Sequence, residues 1–150
     1  MSDVINDINK LDPDAIYTYA DYLSWRFNEM VELIKGKIVR MSAPVEYHQR
    51  ISSNLHYLLY GFLLTKSCRV YSAPFDVRLK DGQKAILNNE NIFTTVQPDL
   101  CIICDLSKID TKGCLGSPDL MVEILSEGNS KKEMKPKGRS PGGNSPDDKF

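Results

Sequence analysis

The sequence predicts a domain that combines α-helices and β-strands, an α+β or α/β fold. Three observations support this class. Residues 30–42 alternate apolar and polar side chains around a central Lys-Gly, residues 45–64 repeat apolar side chains at helical spacing, and residues 96–126 contain two short apolar runs separated by a polar turn. Alternation is typical of strands and a spacing of three to four residues is typical of helices, so we expect both kinds of element.

Length and charge restrict the class of protein further. A chain of 150 residues with 41% apolar residues suits one domain with a hydrophobic core. The net charge of −1 indicates no overall attraction to nucleic acid, although a local basic patch would suffice for binding. Residues 1–12 lack the apolar segment of a signal peptide, and no run reaches the roughly 18 apolar residues of a membrane span, so we expect a cytoplasmic protein.

The first predicted elements are a short helix and a hairpin. Residues 13–24 begin with Pro-Asp, which is a helix-start signal, and carry apolar residues at helical spacing. In residues 30–42 the Lys-Gly pair provides the turn between two strands. Glu32 lies in the first of these strands, and the favoured interpretation of it is a cross-strand ion pair with Lys37 or Arg40.

The longest predicted helix covers residues 45–64. Its apolar stripe consists of Ile51, Leu55, Leu58, Leu59 and Phe62. His48 precedes the stripe by three residues and is therefore expected on the buried face, either as a satisfied core residue or with a role near substrate or metal. His56 lies off the stripe and is predicted to be exposed.

The next segments predict strands and a long connection. Residues 69–79 predict one strand, or two strands broken at Pro74. Asp76 and Arg78 share one face of this segment and are candidates for an ion pair with each other. Residues 80–95 are interpreted as a polar connection of the kind that often overhangs a functional site.

The most informative stretch, residues 96–126, carries acidic residues in two apolar runs that are expected to be buried on both faces. Asp99 and Glu123 stand where a buried strand should carry no charge, because an isolated buried carboxylate costs several kcal/mol. If the two runs pair antiparallel, these carboxylates meet at one end of the sheet. They would repel unless a divalent cation lay between them, and oxygen ligands favour Mg²⁺ or Mn²⁺. Alternatively, Asp99 is a turn residue after Pro98 and Glu123 forms an edge salt bridge.

The cysteines and the C-terminal segment complete the predictions from composition. All four cysteines are expected to be reduced thiols, as in cytosolic proteins. Cys101 and Cys104 form a C-x-x-C in a predicted strand, where their side chains point to opposite faces, which disfavours a zinc site. Residues 136–150 are rich in Pro and Gly and poor in apolar residues, which predicts a disordered tail after a domain of residues 1–135.

Several segments together resemble the Uma2 family (DUF820) of restriction-endonuclease-like proteins. They are V-E-L-I-K-G-K-I-V-R-M-S-A-P, H-Q-R-I-S-S-N-L, A-P-F-D-V-R-L, V-Q-P-D-L, K-G-C-L-G-S-P-D-L-M-V-E-I-L-S and G-N-S-K-K-E, and the likeness covers about residues 15–135. The resemblance implies a PD-(D/E)xK nuclease core, with a mixed β-sheet flanked by helices, that binds Mg²⁺ or Mn²⁺ and cuts DNA. The family's final helix and strand are missing from this sequence.

The resemblance also implies site residues. Asp99 matches the acidic residue of the P-D pair, and Glu123 matches the second metal-binding carboxylate. Leu125 stands where a lysine is expected, and the catalytic lysine aligns instead with Lys137, in a segment interrupted by proline. Three further residues match positions that line the site and contact the substrate: Glu32, His48 and Asp76.

Together these residues predict a metal-dependent endonuclease that hydrolyses DNA phosphodiester bonds. Asp99 and Glu123 would hold the metal, and a lysine would orient the attacking water or neutralise developing charge. The alternative is a catalytically inactive nuclease-fold remnant that binds DNA or a protein partner, which the displaced lysine and the missing closing elements favour. Because cutting both strands usually requires two copies, we expect a homodimer.

Overall fold

The computed structural model describes residues 4–82 and 88–126. Within these ranges the helices are α1 (Tyr19–Ser24) and α2 (Glu46–Leu63), and the strands are β1 (Val31–Ile34), β2 (Lys37–Arg40), β3 (Arg69–Ser72), β4 (Asp76–Leu79), β5 (Thr94–Val96), β6 (Leu100–Ile103), β7 (Ile109–Asp110), β8 (Gly113–Leu115) and β9 (Leu120–Val122). Neither helix in these ranges has the length and apolar composition needed to span a bilayer. The predicted tail, residues 136–150, lies outside the described residues.

The strands form two sheets that share one core. The larger sheet has the order β2-β1-β5-β4-β8-β7, and the smaller has the order β3-β6-β9. Only β4 and β8 pair in parallel among the described strands, so the larger sheet is mixed. The buried core residues come from both sheets and are Val77, Val96, Cys101, Ile103 and Cys114. The predicted class, a mixed sheet with helices, is confirmed.

The predicted hairpin is present as β1 and β2, which pair antiparallel across a two-residue turn. Lys35 and Gly36 in this turn have φ angles of 50° and 76°. Positive φ at both positions is the geometry of a type I′ turn, whose twist matches that of the flanking strands. A Cβ atom on Gly36 would also collide with Cγ2 of Ile16, so this position requires glycine.

The first helix starts later than residues 13–24 predicted. The N–H of Thr18 donates to Oδ2 of Asp21 at 2.8 Å, and the N–H of Asp21 donates to Oγ1 of Thr18 at 3.3 Å. This reciprocal capping box satisfies two free N–H groups and begins the helix at Tyr19. The predicted start at Pro-Asp was therefore wrong by about one and a half turns.

Helix α2 confirms the long helix and the buried position predicted for His48, but only part of the predicted apolar stripe is turned inward. Its buried and half-buried side chains include those of His48, Ser52, Leu55, His56, Leu59 and Leu63. Ile51, Leu58 and Phe62 of the predicted stripe are 40%, 63% and 68% exposed. His56 is half-buried rather than exposed, because its Nδ1 lies 2.5 Å from Oγ of Ser72 on β3. Polar contacts to the smaller sheet therefore orient this helix, and the stripe alone does not.

Short strands appear in both segments that were predicted to be connections. Residues 69–79 form two strands, which is the second of the two predicted alternatives, with a cis peptide bond before Pro74 between them. Strand β5 ends the segment predicted as a polar connection and pairs with β1 and β4, while residues 83–87 lie outside the described residues. The predicted polar turn contains β7 and β8, and its Cys114 is fully buried. Strands of two or three residues are too short for periodicity to reveal.

The second apolar run is more exposed than predicted. Strand β9 is the terminal strand of the smaller sheet and pairs with β6. Leu120 and Met121 are 47% and 45% exposed. The prediction that both runs are buried on both faces was therefore correct for β6 and wrong for β9, and Glu123, which was expected to be a buried charge, is exposed. Apolar composition does not reveal which strand lies at a sheet edge.

Two of the four cysteines form a disulfide. Cys68 is bonded to Cys104, so the prediction of four reduced thiols was wrong for this pair. The β3–β6 ladder ends with Arg69 opposite Ile103, and one further step places the two cysteines opposite each other. Cys101 remains a free buried thiol, and burial raises its pKa to about 12.

Candidate functional site

Asp99 lies directly before β6, and its carboxylate is held from two sides. Oδ2 accepts the N–H of Ile124 at 2.7 Å and lies 3.2 Å from Nε2 of His48. The side chain is 18% exposed, so the carboxylate is partly accessible to water. Its main-chain oxygen accepts the N–H of Ala73 at 3.1 Å. Asp99 is therefore fixed by main chain on both sides and by a side chain from α2.

The pairing of β6 with β9 brings Glu123 beside Asp99. The two strands are antiparallel, with Leu100 opposite Val122. Asp99 and Glu123 each lie one residue beyond this paired segment, and continuing the register by one step sets them opposite each other. Residues opposite each other in an antiparallel pair project from the same face of a sheet, with Cβ atoms about 5 Å apart. The predicted antiparallel pairing is confirmed, and it puts both acidic positions at the same end of the smaller sheet.

His48 lies in the first turn of α2 and is 15% exposed. Of the two roles left open by the sequence, its contact with Asp99 places it at the candidate site rather than in a purely apolar core. Its Nδ1 is buried and has no hydrogen-bond partner within residues 4–82 and 88–126. With the proton on Nε2 the ring donates to the carboxylate, and Nδ1 keeps its lone pair.

Glu32 and Asp76 belong to a second, more buried network on the larger sheet. Oε1 of Glu32 accepts the N–H of Gln97 at 2.9 Å. The amide nitrogen of Gln97 donates to Oδ1 of Asp76 at 2.8 Å and to the hydroxyl of Tyr22 at 3.1 Å. The hydroxyl of Tyr19 donates to Oδ2 of Asp76 at 2.8 Å. Both acidic side chains therefore accept hydrogen bonds from Gln97, two positions before Asp99.

Burial keeps the two phenols of this network protonated. It raises the pKa of Tyr22 to about 12. Burial, followed by the hydrogen bond to Asp76, raises the pKa of Tyr19 well above its usual value. Both hydroxyls therefore remain donors at neutral pH. The orientation of the Gln97 amide is also determined, because its nitrogen must face the Asp76 carboxylate.

Two predicted ion pairs are replaced by other contacts. Lys37 donates to the main-chain oxygens of residues 13–15, and Arg40 donates to Asn9, so the predicted pairing of either with Glu32 was wrong. In the hairpin, Val39 lies opposite Glu32, whereas Lys37 and Arg40 lie opposite Ile34 and Val31. Cross-strand proximity predicted from residue type alone therefore named the wrong partners.

Arg78 also has a different partner from the one predicted. Its Nη2 donates to Oδ1 of Asp110 at 2.5 Å, and its guanidinium lies 5.4 Å from the ring centroid of Tyr19. The predicted pair with Asp76 is absent among the contacts described for these side chains. Although burial opposes it, the hydrogen bond from Arg78 lowers the pKa of Asp110.

The donor set at the sheet end suits a hard cation by its chemistry. Asp99 and Glu123 contribute carboxylate oxygens, and both hydrogen bonds described for the Asp99 side chain use Oδ2, which leaves Oδ1 for a ligand. In the part of the chain that the structure describes, no group of three or more His, Cys, Asp or Glu side chains is arranged to hold a metal. Lys137, the predicted catalytic lysine, lies outside that part.

Sequence reasoning missed three residues that support the site. Gln97 was visible only as the second letter of V-Q-P-D, while Tyr19 and Tyr22 were assigned to a helix without a role. The hydrogen bonds of Gln97 with Asp76, Tyr19 with Asp76 and Gln97 with Tyr22 join residues that are 21, 57 and 75 positions apart. No local pattern encodes such contacts, so only the pairing of the strands brings them together.

Comparisons with known proteins agree with this architecture. The family model described as "Uma2: Putative restriction endonuclease" matches residues 19–139. A crystal structure described as "a putative nuclease belonging to DUF820 from Anabaena variabilis ATCC 29413" is similar, with 20% sequence identity and a TM-score of 0.53. The match covers 77% of this chain and 62% of that chain, and at this identity it shows the fold alone. No curated protein matches the chain.

Proposed function

The chain belongs to the Uma2 family of restriction-endonuclease-like proteins, and we propose that it is a metal-dependent endonuclease that hydrolyses DNA phosphodiester bonds. The observation that supports the proposal is the register of β6 and β9, which sets Asp99 opposite Glu123 when it is continued by one residue. His48 lies against the same carboxylate. Two acidic groups at one sheet end, with a histidine beside them, suit phosphoryl chemistry better than a structural role.

Asp99 and Glu123 are the proposed ligands of Mg²⁺ or Mn²⁺. Carboxylate oxygens are the ligands that these cations prefer. When bound, a divalent cation supplies positive charge that polarises the phosphate and lowers the pKa of a coordinated water. The N–H of Ile124 and the ring of His48 hold Oδ2 of Asp99, so the other carboxylate oxygen keeps a fixed direction.

The remaining site residues have proposed positioning and charge roles. Glu32 and Asp76 bind Gln97 and thereby fix the main chain that leads into Asp99. His48 lies beside the proposed metal ligand at the start of α2, where the helix dipole would favour a bound substrate phosphate. Lys137 orients the attacking water or neutralises the charge that develops on the phosphate.

The test is cleavage of supercoiled plasmid DNA by the purified chain with Mn²⁺ or Mg²⁺, with and without a chelator. We expect nicked and linear products only when metal is present. Asp99→Asn and Glu123→Gln should each reduce cleavage by about 10²-fold or more, because each removes a charged ligand. Glu90→Gln is the matched control, since Glu90 is exposed and lies in a 3₁₀ turn away from both strands.

Two results would contradict the proposal. Cleavage that survives the chelator would exclude a metal-dependent reaction, and wild-type rates in both carboxylate variants would remove Asp99 and Glu123 from the site. Retention of DNA in a gel-shift assay without any cleavage would favour the alternative function, a nuclease-fold module that binds DNA but does not cut it.

A further inference from the structure

Apolar packing holds α2 most firmly at the end that lies away from the candidate site. In this helix, all of whose residues are described, Leu63 is the only buried side chain, and it lies in the last turn. Leu55 and Leu59 are half-buried. His48 lies in the first turn, about 22 Å from Leu63 at a rise of about 1.5 Å per residue. The position of the first turn therefore depends strongly on polar contacts.

One such contact holds the middle of the helix. Nδ1 of His56 lies 2.5 Å from Oγ of Ser72, the last residue of β3. The ring of His56 also stacks on the ring of Tyr60, with centroids 6.4 Å apart and an interplanar angle of 26°. The imidazole is therefore held by a hydrogen bond from one side and by an aromatic ring from another.

The same short stretch of main chain holds the candidate carboxylate. Ser72 pairs with Leu100 in the β3–β6 ladder, and the N–H of Ala73 donates to the main-chain oxygen of Asp99 at 3.1 Å. The side chain of Ser72 thus bonds the helix that carries His48. The main chain of Ala73 bonds the residue that His48 contacts. Two adjacent residues therefore set the positions of both members of the candidate site.

We propose that His56 and Ser72 form a positioning pair, which sets the ring of His48 against the candidate carboxylate. A tilt of α2 by about 5° about Leu63 would move His48 by about 2 Å. The 3.2 Å contact of His48 with Asp99 would be lost, because a hydrogen bond does not persist beyond about 3.5 Å. The contact of His56 lies between this pivot and His48, and it opposes the tilt. His56 therefore acts through His48 and needs no contact with a substrate.

NMR of the histidine ring nitrogens tests the position of His48 without any substrate. A ring that donates to a carboxylate carries its proton on Nε2, whereas a ring released into water exchanges between two tautomers. At about pH 8.5, about two units above the ordinary pKa of histidine, we expect His48 of the wild type to show one tautomer. His56→Ala and Ser72→Ala should each shift the ¹⁵N signal of His48 Nε2 towards the average of the two tautomers.

Two variants serve as controls for this shift. Asn54→Ala is matched, because Asn54 is exposed on the same helix, and the Nε2 signal of His48 should stay as in the wild type. His56→Asn places a polar side-chain atom where Nδ1 lies and should restore the wild-type signal. Circular dichroism of every variant verifies that the helix is folded.

Cleavage kinetics test whether His56 acts through His48, and this part of the inference rests on the proposed function. His56→Ala should lower kcat by about 10- to 100-fold with little change in KM, which is the size expected when a site group moves by about 1 Å. The double variant with His48→Ala should be no slower than His48→Ala alone, because both substitutions remove one contact. A helix that is only less stable would instead give additive losses.

Three results would each overturn the positioning role. They are an Nε2 signal of His48 that neither His56→Ala nor Ser72→Ala changes, an equal change with Asn54→Ala, and additive losses of kcat in the double variant. A wild-type chain that cleaves no DNA would count against the proposed function alone, since the ¹⁵N signals would still decide whether His56 positions His48.

Discussion

Reducing the Cys68–Cys104 disulfide should lower the free energy of unfolding by about 4 kcal/mol. The bond joins residues 36 positions apart, and opening a closed loop of that length returns about 13 cal/mol/K of chain entropy to the unfolded state. At 25 °C this is about 3.8 kcal/mol. A domain of this size is usually stable by about 5–15 kcal/mol, so the loss is a large share of the total.

Urea denaturation with and without a reductant measures this effect. With a urea dependence of about 1.5 kcal/mol/M, the midpoint should fall by about 2–3 M on reduction. The double variant with Cys68→Ser and Cys104→Ser is the control, and the reductant should not change its midpoint. Thiol titration gives the number of free cysteines in each state. An unchanged wild-type midpoint, together with four titratable thiols after reduction, would refute the loop-entropy reasoning.

Two further predictions concern the network around Gln97. Asp76→Ala removes the acceptor of the Tyr19 hydroxyl and one of the two acceptors of the Gln97 amide. The free energy of unfolding measured in urea should therefore fall by about 2–4 kcal/mol. A decrease of less than about 0.5 kcal/mol, the size typical of surface substitutions, would contradict the network. Because the pKa of Tyr22 is raised to about 12 in the folded protein, its contribution to stability is complete below its unfolded value near 10 and is lost as the pH rises from about 10 to 12. Denaturation across this range should show a shallower decline for Tyr22→Phe than for the wild type, and parallel curves would exclude the role of this phenol.

The position of Asp99 connects the two parts of the site. Gln97 is bound by the buried acids of the larger sheet, while Asp99 contacts α2 and the end of β9 at the smaller sheet. Only Pro98 separates them, and it is fully buried. Gln97 and Asp99 are therefore held by different sheets, although only one residue separates them.

The sequence determined most features that depend on neighbours along the chain, although it missed the capping box that begins α1 at Tyr19 and the short hairpin of β7 and β8. The hairpin followed from its alternation and the Lys-Gly turn, α2 followed from its helical period, and the break in residues 69–79 followed from Pro74. The pairing of β6 with β9 was also predictable, because the two runs are close in sequence and each carries an acidic residue at the matching end. Short-range periodicity and turn chemistry are sufficient for contacts of this kind.

Only the tertiary structure decided which distant side chains meet. The bond between Tyr19 and Asp76, the contact of Glu32 with Gln97 and the disulfide of Cys68 with Cys104 join residues 57, 65 and 36 positions apart. The inward face of α2 was likewise set by His48 and His56 reaching the sheet, although the apolar period favoured another side. A one-dimensional pattern records the period of a helix or strand, but the partner of each face depends on how the sheets are ordered in space.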